Sequence, residues 1–172
     1  MNTTEFVVLV DENDRQTGLM EKLDAHRKGL LHRAISVFVF NSRGELLIHR
    51  RALEKYHSGG LWTNTCCSHP RDGETTEDAA VRRLREEMGM ECKLFKQFHF
   101  IYRADLDHNL VEHELDHVFT GTSDENPQPD PAEVMDWRWI RRDDLLAEMV
   151  AEPEKFTAWF HIIAARAFMQ MA

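Results

Sequence analysis

The amino-acid sequence predicts an α+β fold, with a mixed β-sheet core flanked by helices. Its 172 residues suit one compact unit, so we expect a single domain over residues 1–172. Hydrophobic residues make up 42% of the chain and charged residues 30%, which is typical of a globular protein. The predicted strands and helices follow one another without regular alternation, which favours α+β over a doubly wound parallel sheet.

Short apolar runs predict the strands of this sheet. They lie at residues 6–10, 35–40, 46–48, 98–102, 111–120 and 137–140. The tetrapeptide Asn-Ser-Arg-Gly at 41–44 predicts a hairpin turn between two of these strands. A polar, proline-rich stretch at 122–131 predicts a surface loop.

The most strongly predicted helix runs from about Thr76 to Met88. Thr75 is a suitable N-cap, and Gly89 stands where a helix ends. Apolar residues four apart predict its buried face, namely Ala80, Leu84 and Met88. Two further helices are predicted at about 143–150 and 153–171.

Charge and composition exclude several classes of partner. The formal net charge of −9 argues against non-specific nucleic-acid binding, which depends on lysine and arginine contacts to phosphates. No apolar run approaches the roughly 20 residues that a membrane span needs. The N-terminal residues lack the features of a signal peptide, so we expect a cytoplasmic protein, with some eukaryotic compartments left open. Three cysteines, two of them adjacent, fit buried thiols in a reducing compartment, and we expect this of Cys92.

The predicted helix carries two bases followed by two acids. Helical spacing pairs Arg82 with Glu86 and Arg83 with Glu87. Two exposed ion pairs are the ordinary interpretation. However, base before acid is the weaker orientation and opposes the helix dipole. The end of this helix therefore has more to gain from a bound cation.

Residues 68–90 resemble a Nudix box, the loop–helix–loop that binds a metal and a diphosphate. The matching residues are Glu74, Arg82, Leu84, Glu86, Glu87, Gly89 and Met90. Ser68 stands where the box begins with Gly, and Arg83 stands where a hydrolase carries Glu. A base in place of that acid should weaken the metal cluster that hydrolysis needs, and it adds a cation that can pair with phosphate. The resemblance implies a Nudix-like fold that holds a diphosphate without cleaving it.

Three histidines and two glutamates are candidate metal ligands. His26 and His32 lie six residues apart, a spacing that fits a loop and not one helix face, and His69 lies two residues after a cysteine. Glu112 and Glu114 lie two apart on a predicted strand, so both point to the same face. Each residue alone is more often a packing or surface residue. Together, three imidazoles and two carboxylates suit Mn²⁺, Zn²⁺ or Mg²⁺ in a five- or six-coordinate site.

Taken together, these features resemble the type I isopentenyl-diphosphate δ-isomerases, a Nudix-fold family. The resemblance runs from about residue 5 to the last predicted helix. Its most specific motifs are T-N-x-x-C-x-H at 63–69 and E-x-E at 112–114. Further matches are Met20-Glu21-Lys22, Arg50-Arg51-Ala52-Leu53 with Lys55, Gly60-Leu61-Trp62, Tyr102-Arg103-Ala104 and Trp159.

The resemblance implies a role for each of these residues. Cys67 and Glu114 would be the acid–base pair, and Tyr102 would relay or stabilise a proton near Glu114. The first metal site would use His26, His32, His69, Glu112 and Glu114. Glu87 and the Cys67 carbonyl would help to hold a Mg²⁺ that touches the diphosphate. The diphosphate oxygens would be bound by Lys22, Arg51, Lys55, Ser68 and Arg83.

The expected reaction interconverts isopentenyl and dimethylallyl diphosphate in isoprenoid biosynthesis. It moves a double bond by adding a proton at C4 and removing one at C2, through a carbocation at C3. Trp159 would lay its electron-rich face against this cation, unless it is an ordinary core aromatic. A Nudix pyrophosphohydrolase and a non-catalytic sensing module are the alternatives. The native metal, the order of the two proton transfers and the choice between monomer and weak homodimer stay open.

Overall fold

The computed structural model describes residues 3–170 of the chain. In chain order these residues form β1 (Phe6–Val10), β2 (Gln16–Glu21), α1 (Lys22–Lys28), β3 (His32–Phe40), β4 (Leu46–Arg51), β5 (Trp62–Thr63), β6 (Cys66–Ser68), α2 (Thr76–Met88), β7 (Leu94–Asp105), β8 (Val111–Thr122), β9 (Val134–Ile140), α3 (Arg142–Ala151) and α4 (Ala158–Gln170). Short 3-10 helices at Asp107–Asn109 and Pro153–Lys155 precede β8 and α4. Across residues 3–170, no helix has the length and apolar character needed to cross a bilayer.

These strands form one mixed sheet, in which β3 is the central strand. β8 runs parallel to β3 along its whole length and places Glu114 opposite His32. β6 pairs antiparallel with the other edge of β3, where Cys67 lies opposite Ser36. The strands that carry Cys67 and Glu114 therefore flank the same central strand.

Helices cover both faces of the sheet, which explains why β3 is apolar along most of its length. Ile35 and Val37 of β3 belong to one core cluster with Leu84 of α2. Phe38, the residue that follows Val37, belongs to the other core cluster, together with Phe160 of α4. Successive residues of a strand point to opposite faces, so one strand supplies both cores. The prediction of an α+β fold is confirmed.

Helix α2 matches the predicted helix at both ends. The Thr75 hydroxyl accepts a hydrogen bond from the Asp78 amide at 3.1 Å, which satisfies one of the free amides of the first turn. Gly89 ends the helix at a φ of 59°, in the left-handed region that glycine adopts at low cost. The three predicted apolar residues of its inner face, Ala80, Leu84 and Met88, are buried.

The loop between β8 and β9 is attached to the end of α2. The Gln128 amide donates to the Met88 carbonyl at 2.9 Å, and the Asp130 amide donates to the Glu87 carbonyl at 3.0 Å. A Cβ atom on Gly89 would lie 2.2 Å from the Gln128 carbonyl oxygen, so no larger residue fits there. The last turn of α2, which carries Glu87, is thus held by this loop.

Several elements were not predicted from the sequence pattern, namely β2, α1, β5 and β6. Strands of two or three residues are too short to show a period. Helix α1 has seven residues and depends on its ends: the Glu21 carboxylate accepts from two amides of the first turn, and Gly29 ends it at a φ of 62°. His26 lies on this helix and His32 on β3, so the two histidines do not share one helix face, as their spacing predicted. The third predicted helix ends at residue 171, outside the described residues.

Candidate active site

Most of the predicted site residues line one cavity of about 470 Å³. Its walls come from β6, α2, β7, β8 and α4, and from the segment between β4 and β5. The predicted residues that line it are Lys22, Arg51, Lys55, Cys67, Ser68, His69, Arg83, Glu87, Tyr102, Glu112, Glu114 and Trp159. His26 and His32 are fully buried and reach the same region through their rings.

The two adjacent cysteines point to opposite faces of β6. Cys66 is fully buried in the core cluster beneath α2. Cys67 packs against the other core cluster and lines the cavity. This alternation follows from the extended backbone. Of the two thiols, only Cys67 can therefore reach a molecule bound in the cavity.

A short chain of hydrogen bonds surrounds the Cys67 thiol. Its Sγ lies 3.0 Å from Asn64 Oδ1 and 3.4 Å from Ser36 Oγ. The Ser36 hydroxyl in turn donates to Asp116 Oδ2 at 2.7 Å, so the single hydrogen of the thiol has two acceptors in reach, of which Asn64 Oδ1 is the nearer. Burial, and then the negative charge of Asp116, raise the pKa of Cys67 well above its ordinary value. The thiol therefore retains its proton near neutral pH.

Glu114 is buried on β8 and lines the same cavity. Tyr102 donates its hydroxyl hydrogen to Glu114 Oε2 at 2.9 Å, and His69 Nε2 lies 3.0 Å from Glu114 Oε1. Burial opposes ionisation of Glu114, but the nearby His32 imidazole outweighs burial and lowers the pKa of this carboxyl. Burial, and then the charge of Glu114, raise the pKa of Tyr102 well above its ordinary value. The site thus pairs a carboxylate with a neutral phenol.

Four predicted metal ligands lie together. His26 Nδ1 donates to the Lys22 carbonyl at 2.7 Å, and His32 Nδ1 donates to the Leu30 carbonyl at 2.8 Å. These bonds fix both rings and leave each Nε2 as the ligand atom, as is usual for metal-binding histidines. The donor atoms that lie within 4.8 Å of one another belong to His26, His32, His69 and Glu114.

Two polar atoms at this place have no hydrogen-bond partner in the part of the chain that the structure describes. They are His32 Nε2 and Glu112 Oε2, and both are buried. A buried polar group without a partner costs about 1–3 kcal/mol. Coordination to a cation would remove that cost, and imidazole and carboxylate ligands suit Zn²⁺, Mn²⁺ or Mg²⁺. The donor set therefore fits a divalent cation.

Glu112 lies slightly apart from the four-donor group. Its Oε1 is 3.4 Å from His26 Nε2, and the donor atoms of His26, His57 and Glu112 form a second group within 4.8 Å. Four of the five predicted ligands thus form one group, and the fifth, Glu112, forms a second group with His26 and with His57, which was not predicted. Burial, and then the charge of Arg51, lower the pKa of His57 to about 3, so this ring is neutral.

Three of the four predicted diphosphate cations are already paired with carboxylates. The pairs are Lys22–Glu5 at 2.7 Å, Lys55–Glu133 at 2.6 Å and Arg83–Glu87 at 2.5 Å. Burial raises the pKa of Glu87, and Arg83 only partly offsets this. Any polyanion that binds here must compete with these carboxylates for their cations.

Arg51 and Trp159 close the cavity on the α4 side. The Arg51 Cζ atom lies 5.1 Å from the Trp159 ring, and Arg51 Nη2 donates to the His57 carbonyl at 3.2 Å. Trp159 lines the cavity and also belongs to the core cluster under α4. It therefore fits both interpretations given from the sequence, a ring facing the substrate and a core aromatic.

The structure adds site residues that the sequence interpretation missed. Ser36 contacts the Cys67 thiol, Glu133 pairs with Lys55, and His57 joins the second donor group. Asp116, also missed, accepts a hydrogen bond from Ser36. A period-two reading of the strand at 111–120 would have placed Asp116 on the same face as Glu114. No pattern in the sequence marks the other three.

Comparison with known proteins gives the same assignment. The model of the NUDIX domain family matches residues 30–160. A protein of Pectobacterium atrosepticum named isopentenyl-diphosphate delta-isomerase is 57% identical over 160 residues, which cover 93% of this chain and 89% of the relative. One of the same name from Burkholderia multivorans is 53% identical over 163 residues, or 95% of this chain and 93% of the relative.

Solved structures agree on the fold. The crystal structure of DR0079 from Deinococcus radiodurans has a TM-score of 0.80 at 25% identity, over 94% of this chain and 98% of that one. A MutT protein from Methanosarcina mazei has a TM-score of 0.65 at 17% identity, over 79% of this chain and 91% of that one. The prediction of a Nudix-like fold is confirmed. On sequence, fold and site arrangement together, the chain belongs to the isopentenyl-diphosphate δ-isomerase family of NUDIX-domain proteins.

Proposed function

We propose that this chain interconverts isopentenyl diphosphate and dimethylallyl diphosphate by protonation and deprotonation. The observation that carries the proposal is a single cavity in which Cys67 and Glu114, from the two strands that flank β3, face a set of cations. The names of relatives at 53% and 57% identity support it. A polyanionic substrate with a small apolar group fits such a cavity.

The acid–base pair follows from the needs of the reaction. The alkene must gain a proton at C4 and lose one at C2, so two groups are needed. Cys67 Sγ and Glu114 are assigned these roles, and the Tyr102 hydroxyl steadies Glu114 Oε2. Because the reaction is reversible, the group that delivers a proton in one direction removes it in the other.

Trp159 is assigned to the carbocation at C3. An aromatic face close to a desolvated cation stabilises it by about 2 kcal/mol or more, which corresponds to roughly thirtyfold in rate. Trp159 is only 3% exposed, so it also helps to keep water from capturing the cation.

The metal centre is assigned to His26, His32, His69, Glu112 and Glu114, with Mn²⁺, Zn²⁺ or Mg²⁺ as the ion. A divalent cation there supplies positive charge that orients the Glu114 carboxylate and changes its acidity. The chain contributes the hydrogen bonds that fix the histidine rings. We expect a strong chelator to inactivate the protein and to speed amide hydrogen exchange in residues 20–35. Full turnover by metal-free protein would contradict this assignment.

The diphosphate is assigned to Lys22, Arg51, Lys55, Ser68 and Arg83, together with Mg²⁺ held by Glu87 and the Cys67 carbonyl. A cationic cluster in a chain of net charge −9 is best explained by a polyanion. Arg83 counts against a Nudix hydrolase, because a base stands next to Glu87 where hydrolysis needs another acid. We further assign the protein to isoprenoid biosynthesis in the cytoplasm, as a single domain that acts as a monomer or weak homodimer.

The decisive experiment is turnover of isopentenyl diphosphate with Mg²⁺ in D₂O. We expect dimethylallyl diphosphate that carries deuterium in the methyl group derived from C4, with C2 labelled on prolonged equilibration. Isomerised product without deuterium at either carbon would rule out the acid–base scheme. Release of inorganic phosphate or diphosphate in place of isomerised product would favour the hydrolase.

A further inference from the structure

The turn between α1 and β3 connects two of the proposed metal ligands, His26 and His32. It consists of residues 29–31, and each of its backbone carbonyls binds a partner. The Leu30 carbonyl accepts from the His32 ring at 2.8 Å, and the Leu31 carbonyl accepts from an amide of β1 at 3.2 Å. The partner of the first carbonyl comes from a different strand, and the reaction proposed above gives it no part.

This partner is His113 of β8. Its Nδ1 lies 3.0 Å from the Gly29 carbonyl oxygen. A carbonyl oxygen can only accept, so Nδ1 carries the hydrogen of this bond. Gly29 ends α1 at a φ of 62°, and a Cβ atom there would lie 3.2 Å from Arg103 Nη1 and 3.5 Å from Val111 Cβ. The turn is therefore packed closely against β7 and β8 at the place where His113 binds it.

The neighbours of His113 on β8 are Glu112 and Glu114, the two proposed carboxylate ligands. Successive side chains of a strand point to opposite faces, so His113 points away from the face that carries both glutamates. Accordingly, Glu112 and Glu114 line the cavity and His113 does not. The outer members of this tripeptide thus supply carboxylates to the metal centre, while its central member holds the connection between two histidine ligands.

The ligand that depends most on this connection is His26. His32 lies opposite Glu114 in the ladder of β3 and β8, so the sheet itself places these two residues relative to each other. His26 lies instead in the last turn of α1, a helix of seven residues. A helix this short is not stable alone, so its position depends on contacts with other elements. The bond from His113 to Gly29 is one such contact, made directly by the strand that carries the carboxylates.

We propose that His113 is a positioning residue of the metal centre, which holds the end of α1 and thereby places His26 beside Glu112 and Glu114. The inference rests on the metal centre of the proposed function. Its test measures bound Co²⁺ and not turnover. Wild-type protein that binds no Co²⁺ would overturn the metal centre, and this inference with it. Wild-type protein that binds Co²⁺ no better than a variant without the His113 bond would overturn the inference alone.

The first experiment measures the Kd of Co²⁺ for metal-free protein, through the visible absorption of the bound ion. His113→Leu keeps a side chain of similar size without a donor, and His113→Asn keeps an amide nitrogen near the place of Nδ1. We expect His113→Leu to raise the Kd about ten- to a hundredfold, and His113→Asn to stay close to wild type. Asparagine is the smaller side chain, so a loss of packing alone would give the opposite order.

The matched control is His161→Leu. His161 Nε2 also binds a backbone carbonyl, that of Pro153 at 2.9 Å, but His161 lies on α4 and belongs to neither donor group. We expect this change to leave the Kd of Co²⁺ unchanged. The control thus separates the loss of any bond between a histidine and a carbonyl from the loss of the bond to Gly29.

The second experiment follows amide hydrogen exchange in the metal-free proteins. The amides of Gly29 and Leu30 both donate to the Ala25 carbonyl and close the end of α1. We expect His113→Leu to speed exchange at these two amides while exchange in β3 stays at the wild-type rate, because only the local unit is released. His113→Asn should restore the slow exchange.

Two results would overturn this role of His113. One is a Kd of Co²⁺ that is the same for the leucine and asparagine variants. The other is exchange in His113→Leu that is unchanged at the end of α1 or that rises equally throughout the sheet. Circular dichroism checks folding. If His113→Leu is unstable, His113→Gln takes its place, because its amide nitrogen corresponds to Nε2 and not to Nδ1. It should raise the Kd relative to His113→Asn, and equal values would overturn the proposal.

Discussion

The floor and the rim of the cavity are built in different ways. The floor consists of Cys67, Tyr102 and Glu114, which lie on β6, β7 and β8, are largely buried and form hydrogen bonds to neighbouring side chains. The rim consists of the paired cations Lys22, Lys55 and Arg83, each with its carboxylate. The floor residues are held in place by burial and hydrogen bonds, whereas the rim cations can exchange their carboxylate partners for a bound anion. Changes in the floor should therefore affect kcat, and changes in the rim should affect KM.

The largest expected effect tests the floor. Cys67→Ala removes one member of the proposed acid–base pair, and such groups contribute about 10²–10⁴-fold to rate. We expect a kcat loss of that size with little change in KM. Cys66→Ala, at the neighbouring thiol that faces α2, is the matched control and should keep most of the activity. Steady-state assays of both variants decide the assignment, and equal losses would contradict it.

The next effect tests the rim. Arg83→Gln removes a cation that lines the cavity beside Glu87, and a hydrogen bond to a charged group contributes about 1.5–3 kcal/mol. We expect KM for isopentenyl diphosphate to rise roughly ten- to a hundredfold, with a smaller change in kcat. Arg85→Gln is the control on the same helix, because Arg85 is exposed and contacts Glu91. If Arg83→Gln lowered kcat and left KM unchanged, the distinction between floor and rim would be wrong.

A smaller effect is expected for Ser36, which contacts a floor residue but does not belong to the floor. Ser36→Ala leaves the Cys67 thiol intact but removes its link to Asp116. Loss of one such hydrogen bond costs about 1 kcal/mol, or roughly fivefold in kcat, with KM unchanged. Ser36→Thr retains the hydroxyl and should restore most of the rate. If threonine and alanine behave alike, Ser36 contributes packing and does not position the thiol.

The smallest effect is expected for the ion pair between Glu74 and Arg82, which belongs to neither the floor nor the rim. Glu74 accepts hydrogen bonds from Arg82 at 2.7 and 2.8 Å, and the hydrogen bond to Arg82 lowers the pKa of Glu74. A carboxyl whose pKa is lowered in the folded chain stabilises it above the ordinary value of 4.5, and this stabilisation is lost as the pH falls through the folded pKa. Glu74→Gln should reduce the free energy of unfolding by about 0.5–1 kcal/mol at pH 7, with the difference shrinking in acid. Denaturant titrations of both proteins at pH 7 and in acid measure this difference in the free energy of unfolding. A difference that does not change with pH would contradict the linkage.

How much of the fold the sequence predicts depends on how many residues each sequence pattern spans. Helix α2 was predicted over its whole length because its cap, its glycine and its apolar period agree. Strands β5 and β6 were missed because two or three residues carry no period, although β6 holds Cys67. The opposite orientations of the two cysteines follow from extended backbone alone. Helical spacing predicted that Arg83 pairs with Glu87. The other two rim carboxylates were not predictable, since Glu5 and Glu133 lie far along the chain from the cations they pair with.

The same limit applies to His57. Its neighbourhood with His26 and Glu112 joins helix α1, the segment between β4 and β5, and strand β8, and only the folded chain brings them together. The family resemblance pointed to His26 and Glu112 but gave no role to His57. Residues that act through a fold-dependent contact are therefore the ones that a sequence pattern leaves out.

The attachment of the β8–β9 loop to the end of α2 has a consequence for how the protein opens. The carbonyls of Glu87 and Met88, which the helix itself leaves free, bind amides of a loop that leads to Glu133. Neither segment can leave its place without breaking the bonds of the other. We therefore expect them to exchange their amide hydrogens as one cooperative unit, with a common opening free energy. The two carboxylate partners of Arg83, Glu87 and Glu133, would then be lost together, so one opening step would release this cation from both.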